Sequence, residues 1–387
     1  MVIRRIAITM LAVSAVLMTL QVQLAEHTGT ATASTHTPTP TQTTTPTQTD
    51  TPTATSTSTV VPPATNTLPP TGTPATLLQN DAYLPIIRRA VNGAPSPTPT
   101  ATVIGQPTAS PTAAPTPGAV PAFSHIFIIV LENHEYTSVI SNSAAPYFNS
   151  LAQHYGLATN YYAIRHPSLP NYIALTAGDT FTITNDCTKC FIDHPNIVDQ
   201  LEAARKSWKA YMEGMPQPCF VGDSGKYAQK HNPFIYYDDV RNNPTRCRNI
   251  VPFSQFASDL QAGALANYTW ITPDLCNDEH DCGVDKGDLW LETWVPQILA
   301  SPAWQQNGVL FIVYDEGTTS AGCCTLAAGG HIATLVISPL GKPAFRSNVA
   351  DDHYSLLRTI ETAWGLPPLA EAGCDCSVPM GDFFKPQ

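Results

Sequence analysis

The chain has 387 residues, 43% hydrophobic and only 13% charged, with 19 basic against 30 acidic side chains and a formal net charge of −11. Residues 1–119 hold four arginines and three acids, so residues 120–387 carry a net charge of −12 with histidine neutral. That balance excludes nucleic-acid binding, or docking on an anionic membrane, through a basic face; an anionic substrate has to be drawn by a local feature, and a bound cation inverts the field around itself.

In chain order, Arg4-Arg5 followed by the apolar run Ile6–Leu20 reads as a secretory signal, too short for a comfortable membrane span. Residues 1–27 are therefore expected to be a signal peptide or an uncleaved N-terminal anchor, and the protein to be secreted or displayed at the cell surface. Residues 28–119 are dominated by Thr, Pro, Ser and Ala and cannot bury enough apolar surface to fold, which predicts a disordered stalk. The more apolar piece Leu77–Val91 inside it is assigned no function. Residues 120–387 suit one large domain. Strands are expected near 126, 209, 268, 309 and 332, alternating with helices near 146–156, 171–177, 196–206, 254–262, 288–300 and 354–364. Such alternation argues for a mainly parallel sheet covered by helices.

Five stretches of this domain carry chemistry. The strand Ile126–Leu131 runs straight into Glu132-Asn133-His134. His166-Pro167-Ser168-Leu169-Pro170-Asn171 then places Ser168 near the mouth of a helix that stops at Gly178, where unpaired N–H groups attract anions. A serine there also serves as a plain helix cap. The strand Tyr268–Thr272 leads into a loop dense in metal-binding and proton-moving groups, Asp274 and His280 among them, although a loop histidine among acids is as often a surface residue. Val309–Tyr314 ends on Asp315-Glu316, and Gly329-Gly330 precede His331. In an open α/β sheet the ligand crevice lies beyond the carboxyl ends of the strands, so Glu132, Asn133, Asp315 and Glu316 are expected to converge there. Their oxygens suit a hard or borderline divalent cation. Metal coordination is one of the few ways to favour a serine alkoxide at neutral pH. Either acidic pair alone is equally a solvated loop after a strand.

All ten cysteines lie between Cys187 and Cys376, and an even number in an exported chain points to disulfides. Local pairs are expected at Cys187 with Cys190 and Cys276 with Cys282, while Cys323, Cys324, Cys374 and Cys376 are available to cross-link the end of the domain. A zinc site at Cys187 and Cys190 is the rival, but no second Cys-x-x-Cys completes it.

The ordered stretches ENH at 132, HPSLPNYIALTAG at 166, YMEGMP at 211, KHNPFIYY at 230, ITPDLCNDEHDC at 271, FIVYDEG at 311, GGHIATLVISP at 329 and HYSLLRTIETAWGLP at 353 resemble the phosphoesterase family. That family includes bacterial phospholipases C and secreted acid phosphatases, within the alkaline phosphatase superfamily. The likeness is greatest to the acid phosphatase branch, which includes phosphatidylinositol 3-phosphate phosphatases. It implies an alkaline-phosphatase-like three-layer α/β/α sandwich with a mainly parallel sheet. It also implies one divalent metal ion, of unspecified identity, held by Glu132, Asn133, Ser168, Asp315 and Glu316, with Ser168 as nucleophile. E-N-H and serine, rather than E-N-R and threonine, favour the phosphatase branch. Asp274 and His331 fall near second-metal positions of other superfamily members and are assigned to phosphate or leaving-group contact. Asn171 is assigned to a phosphate oxygen, and His280 and His331 to proton donation.

Three functional readings follow. The first is a secreted phosphomonoesterase that forms a phosphoserine and acts on a small-molecule or lipid-headgroup phosphate ester. The second is a phospholipase C-type phosphodiesterase. The third is a surface-displayed binding module, which would require Ser168 to lie far from the acidic strand ends. No nucleic acid and no stable membrane span in the mature chain are expected, and the oligomeric state is left open.

Overall fold

The computed structural model describes residues 119–386; the expected signal and the stalk up to residue 118 lie outside the described residues. The apolar runs of the sequence form the centre of a nine-stranded sheet in the order β4-β3-β5-β1-β6-β7-β2-β8, with β9 also paired to β2. The strands are β1 (Ile126–Leu131), β2 (Gly156–Tyr162), β3 (Trp208–Met212), β4 (Ile250–Pro252), β5 (Tyr268–Thr272), β6 (Val309–Tyr314), β7 (His331–Ile337), β8 (Arg346–Ser347) and β9 (Asp351–Asp352). Every residue of β1, β5 and β6 is buried. Successive side chains on a strand point to opposite faces, so burial of all of them requires a covering layer on each face. The expected α/β/α arrangement with a mainly parallel sheet is the one that forms. β7 alone runs against both neighbours, β6 and β2.

The helices that matter for the site are α1 (Pro146–His154), α2 (Ser168–Ala177), α3 (Ile197–Ala203), α4 (Ser254–Gln261), α5 (Val284–Ala300) and α6 (His353–Trp364). All ten residues of α2 are buried, and it packs on α6. It stops at Gly178, whose φ of 73° belongs to the left-handed region glycine enters without a Cβ penalty. α6 is capped by Asp352, whose side chain accepts from Ser355 N–H at 2.9 Å.

Four strands escape the periodicity reading: β2, β4 and the two-residue β8 and β9. β2 lies near the sheet edge, with β7 on one side and only the two-residue β8 and β9 on the other; its partial exposure goes with the mixed sequence GLATNYY. The expected helix at 146–156 had run over its start, whereas α1 ends at His154. β4 is three residues long and pairs only with β3.

Five disulfides form: Cys187–Cys190, Cys219–Cys247, Cys276–Cys282, Cys323–Cys324 and Cys374–Cys376. The two expected local pairs are present. The expected cross-link among the last four cysteines is not, because each pair is consumed inside its own turn; the bond between Cys187 and Cys190 likewise leaves no thiolate there for zinc. Among the described residues no helix is long and apolar enough to cross a membrane.

The sheet register builds the floor of the site. Leu131 pairs with Tyr314 as the last step of the β1–β6 ladder, so Glu132 and Asp315 leave the sheet side by side. Asp315 N–H donates to the Leu131 carbonyl at 2.8 Å. On the other side of β1, the loop after β5 returns so that the Asp278 carbonyl accepts Glu132 N–H at 2.8 Å.

Candidate active site

Ser168 is the first helical residue of α2, and the flanking Pro167 offers no side-chain cap. The serine therefore does not cap the helix. Its hydroxyl donates instead to Glu132 Oε2 at 3.1 Å, and the residue is 1% exposed. The adjacent Leu169 N–H is taken by Asp186 Oδ1 at 3.0 Å. One turn along the same face, Tyr172 donates its hydroxyl to Glu132 Oε1 and stacks on the His231 ring, centroids 5.3 Å apart.

Adjacent residues converge here because the chain turns at Asn133, whose φ is 55°. Its N–H reaches Asp315 Oδ1 at 3.1 Å and its side-chain amide reaches Glu132 Oε2 at 3.0 Å. Asp315 Oδ1 also accepts Glu316 N–H at 2.6 Å, while Oδ2 is buried without a hydrogen-bond partner among the described residues. Behind it, His353 Nε2 donates to the Asp315 carbonyl at 2.6 Å and Nδ1 faces the Tyr161 hydroxyl at 3.2 Å. Burial pushes the His353 ring down to about 4, so it stays neutral. Glu316 is held by His166 Nδ1 at 2.7 Å. Asp278 bonds His231 Nδ1 at 3.0 Å, and His231 Nε2 lies 3.2 Å from Glu132 Oε1.

Burial, reinforced by the neighbouring acids, raises every carboxyl of the cluster. Glu132 is driven well above the usual range, Asp315 up to about 7, Asp278 to about 8 and Glu316 to about 9. Burial works against the Lys230 ammonium, yet its bond to Asp186 Oδ2 at 3.0 Å and the charges of Glu132, Asp186 and Asp315 leave its pKa raised.

The structure thus brings Glu132, Asn133, Ser168, Asp315 and Glu316 together. It does not do so for three of the other expected residues. Asn171 has spent its side chain: Oδ1 accepts the N–H groups of Ile164 and Arg165 at 3.0 and 3.1 Å, and Nδ2 donates to the carbonyls of Arg165 and Pro167 at 2.6 and 3.3 Å. It is a clamp on the loop before Ser168 and has nothing left for phosphate. Asp274 Oδ1 accepts the N–H groups of Cys276 and Asn277 at 3.0 and 3.1 Å, the usual work of an aspartate in a turn. His331 stacks between Tyr136 and Tyr162, centroids 4.6 and 5.1 Å away, and bonds the Thr159 carbonyl at 3.1 Å. None of these side-chain contacts is with the carboxylate cluster, and Asp274 touches it only by the backbone, its carbonyl accepting Asp278 N–H at 2.7 Å.

His280 does reach the cluster, but in a defined tautomer. Lysine only donates, so Lys230 Nζ gives a proton to His280 Nε2 at 3.1 Å, and Nδ1–H then donates to Asp281 at 2.8 Å. The proton facing the site belongs to Lys230. Sequence reasoning missed the roles of Asp186, Lys230, His231 and Asp278, although three of them stand inside the stretches KHNPFIYY and ITPDLCNDEHDC that were already singled out.

A buried carboxylate oxygen with no partner, amid carboxyls that repel one another, is an uncompensated charge unless a cation or proton answers it. The oxygen donors around Asp315 and Glu132 fit a divalent metal. Glu132, His231 and His280 also present ligand atoms within 4.8 Å of one another, a second donor set that shares Glu132.

Comparison with known proteins agrees with this geometry. The chain is 31% identical over 273 residues to an acid phosphatase of Aspergillus fumigatus, covering 66% of this chain and 58% of that protein. To a phosphatidylinositol-3-phosphatase of Mycobacterium tuberculosis it is 33% identical over 253 residues, 64% of this chain and 79% of that one. A hemolytic phospholipase C of Pseudomonas aeruginosa is 24% identical over 304 residues, 62% and 42% of the two chains. The chain thus spans less than two thirds of the fungal relative's length. The model of the Phosphoesterase family matches residues 132–367, more than half of the chain and every member of the cluster from Glu132 to His353, and the chain belongs to that family.

Proposed function

We propose that the chain is a metal-dependent phosphomonoesterase of acid phosphatase type, with Ser168 as the nucleophile. The observation that carries this reading is the Ser168 hydroxyl at the mouth of α2, 3.1 Å from the carboxylate of Glu132, whose sheet neighbour Asp315 keeps Oδ2 unpartnered among the described residues. Glu132, Asn133, Ser168, Asp315 and Glu316 would hold one divalent cation. When bound, that cation favours the alkoxide of Ser168 and offsets charge on the phosphoryl group. Ser168 Oγ attacks phosphorus as its proton leaves along the hydrogen bond to Glu132. The bond from phosphorus to the alcohol oxygen breaks, and Lys230, paired with His280, protonates that oxygen. Water then hydrolyses the phosphoserine and restores Ser168. Tyr172 and His231 fix the Glu132 carboxylate, and His353 fixes the Asp315 backbone. The substrate is a small-molecule or lipid-headgroup phosphate ester; the mycobacterial relative's name adds a phosphoinositide to the candidates, one whose alcohol carries a second anion and is disfavoured by the leaving-group site argued below. Five disulfides support the expected export.

The test is hydrolysis of a chromogenic phosphate monoester and of the matching choline phosphodiester by the intact chain and by Ser168→Ala, each with and without chelator. Monoester turnover is expected to fall at least about 10³-fold in Ser168→Ala and to vanish with chelator. Diester turnover alone would move the reading to phospholipase C, which the 24–25% identity to bacterial phospholipases C supports more weakly. The binding-module reading needed Ser168 far from the acidic strand ends, and the 3.1 Å contact argues against it.

A further inference from the structure

Lys230 and His280, the proton-donating pair, line a cavity of about 260 Å³ to whose interior the mechanism above gives no part. Lys230 and His280 form the side nearest the carboxylates: His280 offers a ligand atom within 4.8 Å of one on Glu132. Tyr227 and Leu275 give the cavity an apolar wall, and Asp186 and Asp223 line it with carboxylates. Asp186 is the residue that holds Leu169 N–H at the start of α2, so the cavity begins one residue from Ser168. Lys230, assigned above to protonate the leaving oxygen, lines this space, so the alcohol it protonates has the cavity to enter.

The charge of the lining is one-sided. The single ammonium, Lys230, is already bonded to Asp186 at 3.0 Å and to His280 at 3.1 Å. Asp223 uses Oδ1 to accept Gln229 N–H at 2.8 Å, and Oδ2 has no hydrogen-bond partner among the described residues. Asp281, bonded to the far nitrogen of His280, adds a further negative charge behind the wall. Asp186 and Lys230 offset each other, so the solvent-exposed carboxylate of Asp223 leaves the lining with one net negative charge.

Resting on the phosphomonoesterase reading, we propose that this cavity is the leaving-group site, and that it selects a small uncharged or cationic alcohol with an apolar face while rejecting alcohols that carry a second anion. Its volume falls below the range of drug-sized ligand pockets and suits one ring or a short chain. Cavity and charge together set which alcohol leaves; the carboxylate cluster sets only that a phosphoryl group is transferred.

The experiment compares kcat/KM of the intact chain, supplied with divalent metal, for three monoesters of similar size: phosphocholine, glycerol 2-phosphate and 2-phosphoglycerate. A unit charge several ångströms from an unpaired carboxylate in a partly solvated site changes an equilibrium by about tenfold. The anionic ester is therefore expected about tenfold below the glycerol ester, phosphocholine at or above it, and the spread to shrink as salt is added. Asp223→Asn keeps the acceptor for Gln229 N–H and is expected to narrow the spread several-fold. Leu275→Trp, which fills the cavity, is expected to lower kcat/KM for p-nitrophenyl phosphate far more than for methyl phosphate, whose alcohol hardly enters it. Equal kcat/KM for the three esters, or equal losses on the two esters in Leu275→Trp, would overturn the leaving-group site while leaving the phosphatase reading intact. Turnover of no monoester at all would overturn the phosphatase reading beneath it.

Discussion

Asn171 separates two kinds of importance that look alike in a sequence. Its place three residues after Ser168 on one helix turn invites a phosphate contact, yet its amide is saturated by the backbone of residues 164–167. Asn171→Ala leaves two N–H groups without their acceptor in a site with no exposure, at a cost of about 2–4 kcal/mol. The expected result is a clear drop in melting temperature and in kcat, with inhibition by inorganic phosphate nearly unchanged. A tenfold weaker phosphate inhibition with an unmoved melting temperature would restore the ligand role. The same residue scale explains why Glu132, Ser168, Asp315 and Glu316 were legible while His231 and Asp278 were not. The first group stands at strand ends and a helix mouth, positions that periodicity and punctuation mark. His231 and Asp278 sit in loops and earn their places only through each other and Glu132.

At the scale of elements, the loop that delivers Lys230 and His231 is anchored by the Cys219–Cys247 disulfide, which closes 28 residues, and by Cys219 N–H on the Ile250 carbonyl at 3.0 Å. Loop-closure entropy assigns this bridge about 3.5 kcal/mol, against about 1.5 kcal/mol for the three-residue Cys187–Cys190 loop. Urea unfolding of the Cys219→Ala/Cys247→Ala double variant is expected to show the larger loss, accompanied by reduced turnover; a smaller loss than that of the Cys187→Ala/Cys190→Ala variant would contradict the anchoring role. The pairing was not deducible from spacing, since ten cysteines allow many connectivities and only the juxtaposition of β3 and β4 selects this one. The reversal of β7 was equally hidden. Its apolar run reads the same in either direction, and the direction is set by how the chain returns from the loop after β6.

For the whole molecule, the raised carboxyls make a statement about stability. Each binds its proton more tightly folded than unfolded, so their contribution is full below the ordinary carboxylate range near pH 4. It is lost as pH rises through about 7 for Asp315, 8 for Asp278 and 9 for Glu316. Glu361 on α6, raised by burial to about 7 and with Oε2 unpartnered among the described residues, adds to the same slope. Metal-free protein is expected to melt at progressively lower temperature from pH 5 to 9. Divalent metal at about 100 times its dissociation constant adds about 2.7 kcal/mol, and more of it at high pH, where the carboxyls no longer need to release protons to bind. Differential scanning calorimetry with chelator and with added metal checks both slopes. A metal-free melting temperature that rises over this range would refute the assignment of the cluster as proton-loaded without its cation.

The sequence alone determined what short-range rules control: the buried runs Ile126–Leu131 and Val309–Tyr314 that end on carboxylates, a helix that opens near Ser168 and stops at Gly178, and an ordered set of stretches specific enough to indicate the family. Side-chain period, capping and backbone freedom depend on neighbours along the chain, so they can be read there. Tertiary structure alone decided that Ser168 donates to Glu132 rather than capping its helix. It alone saturated Asn171, turned Asp274 Oδ1 and His331 Nε2 to nearby backbone groups, and brought Lys230, His231 and Asp278 to the carboxylates. Those outcomes depend on strand register and on which hydrogen-bond partner each buried polar atom finds, and such partners come from segments as far apart as 182 and 192 residues in sequence.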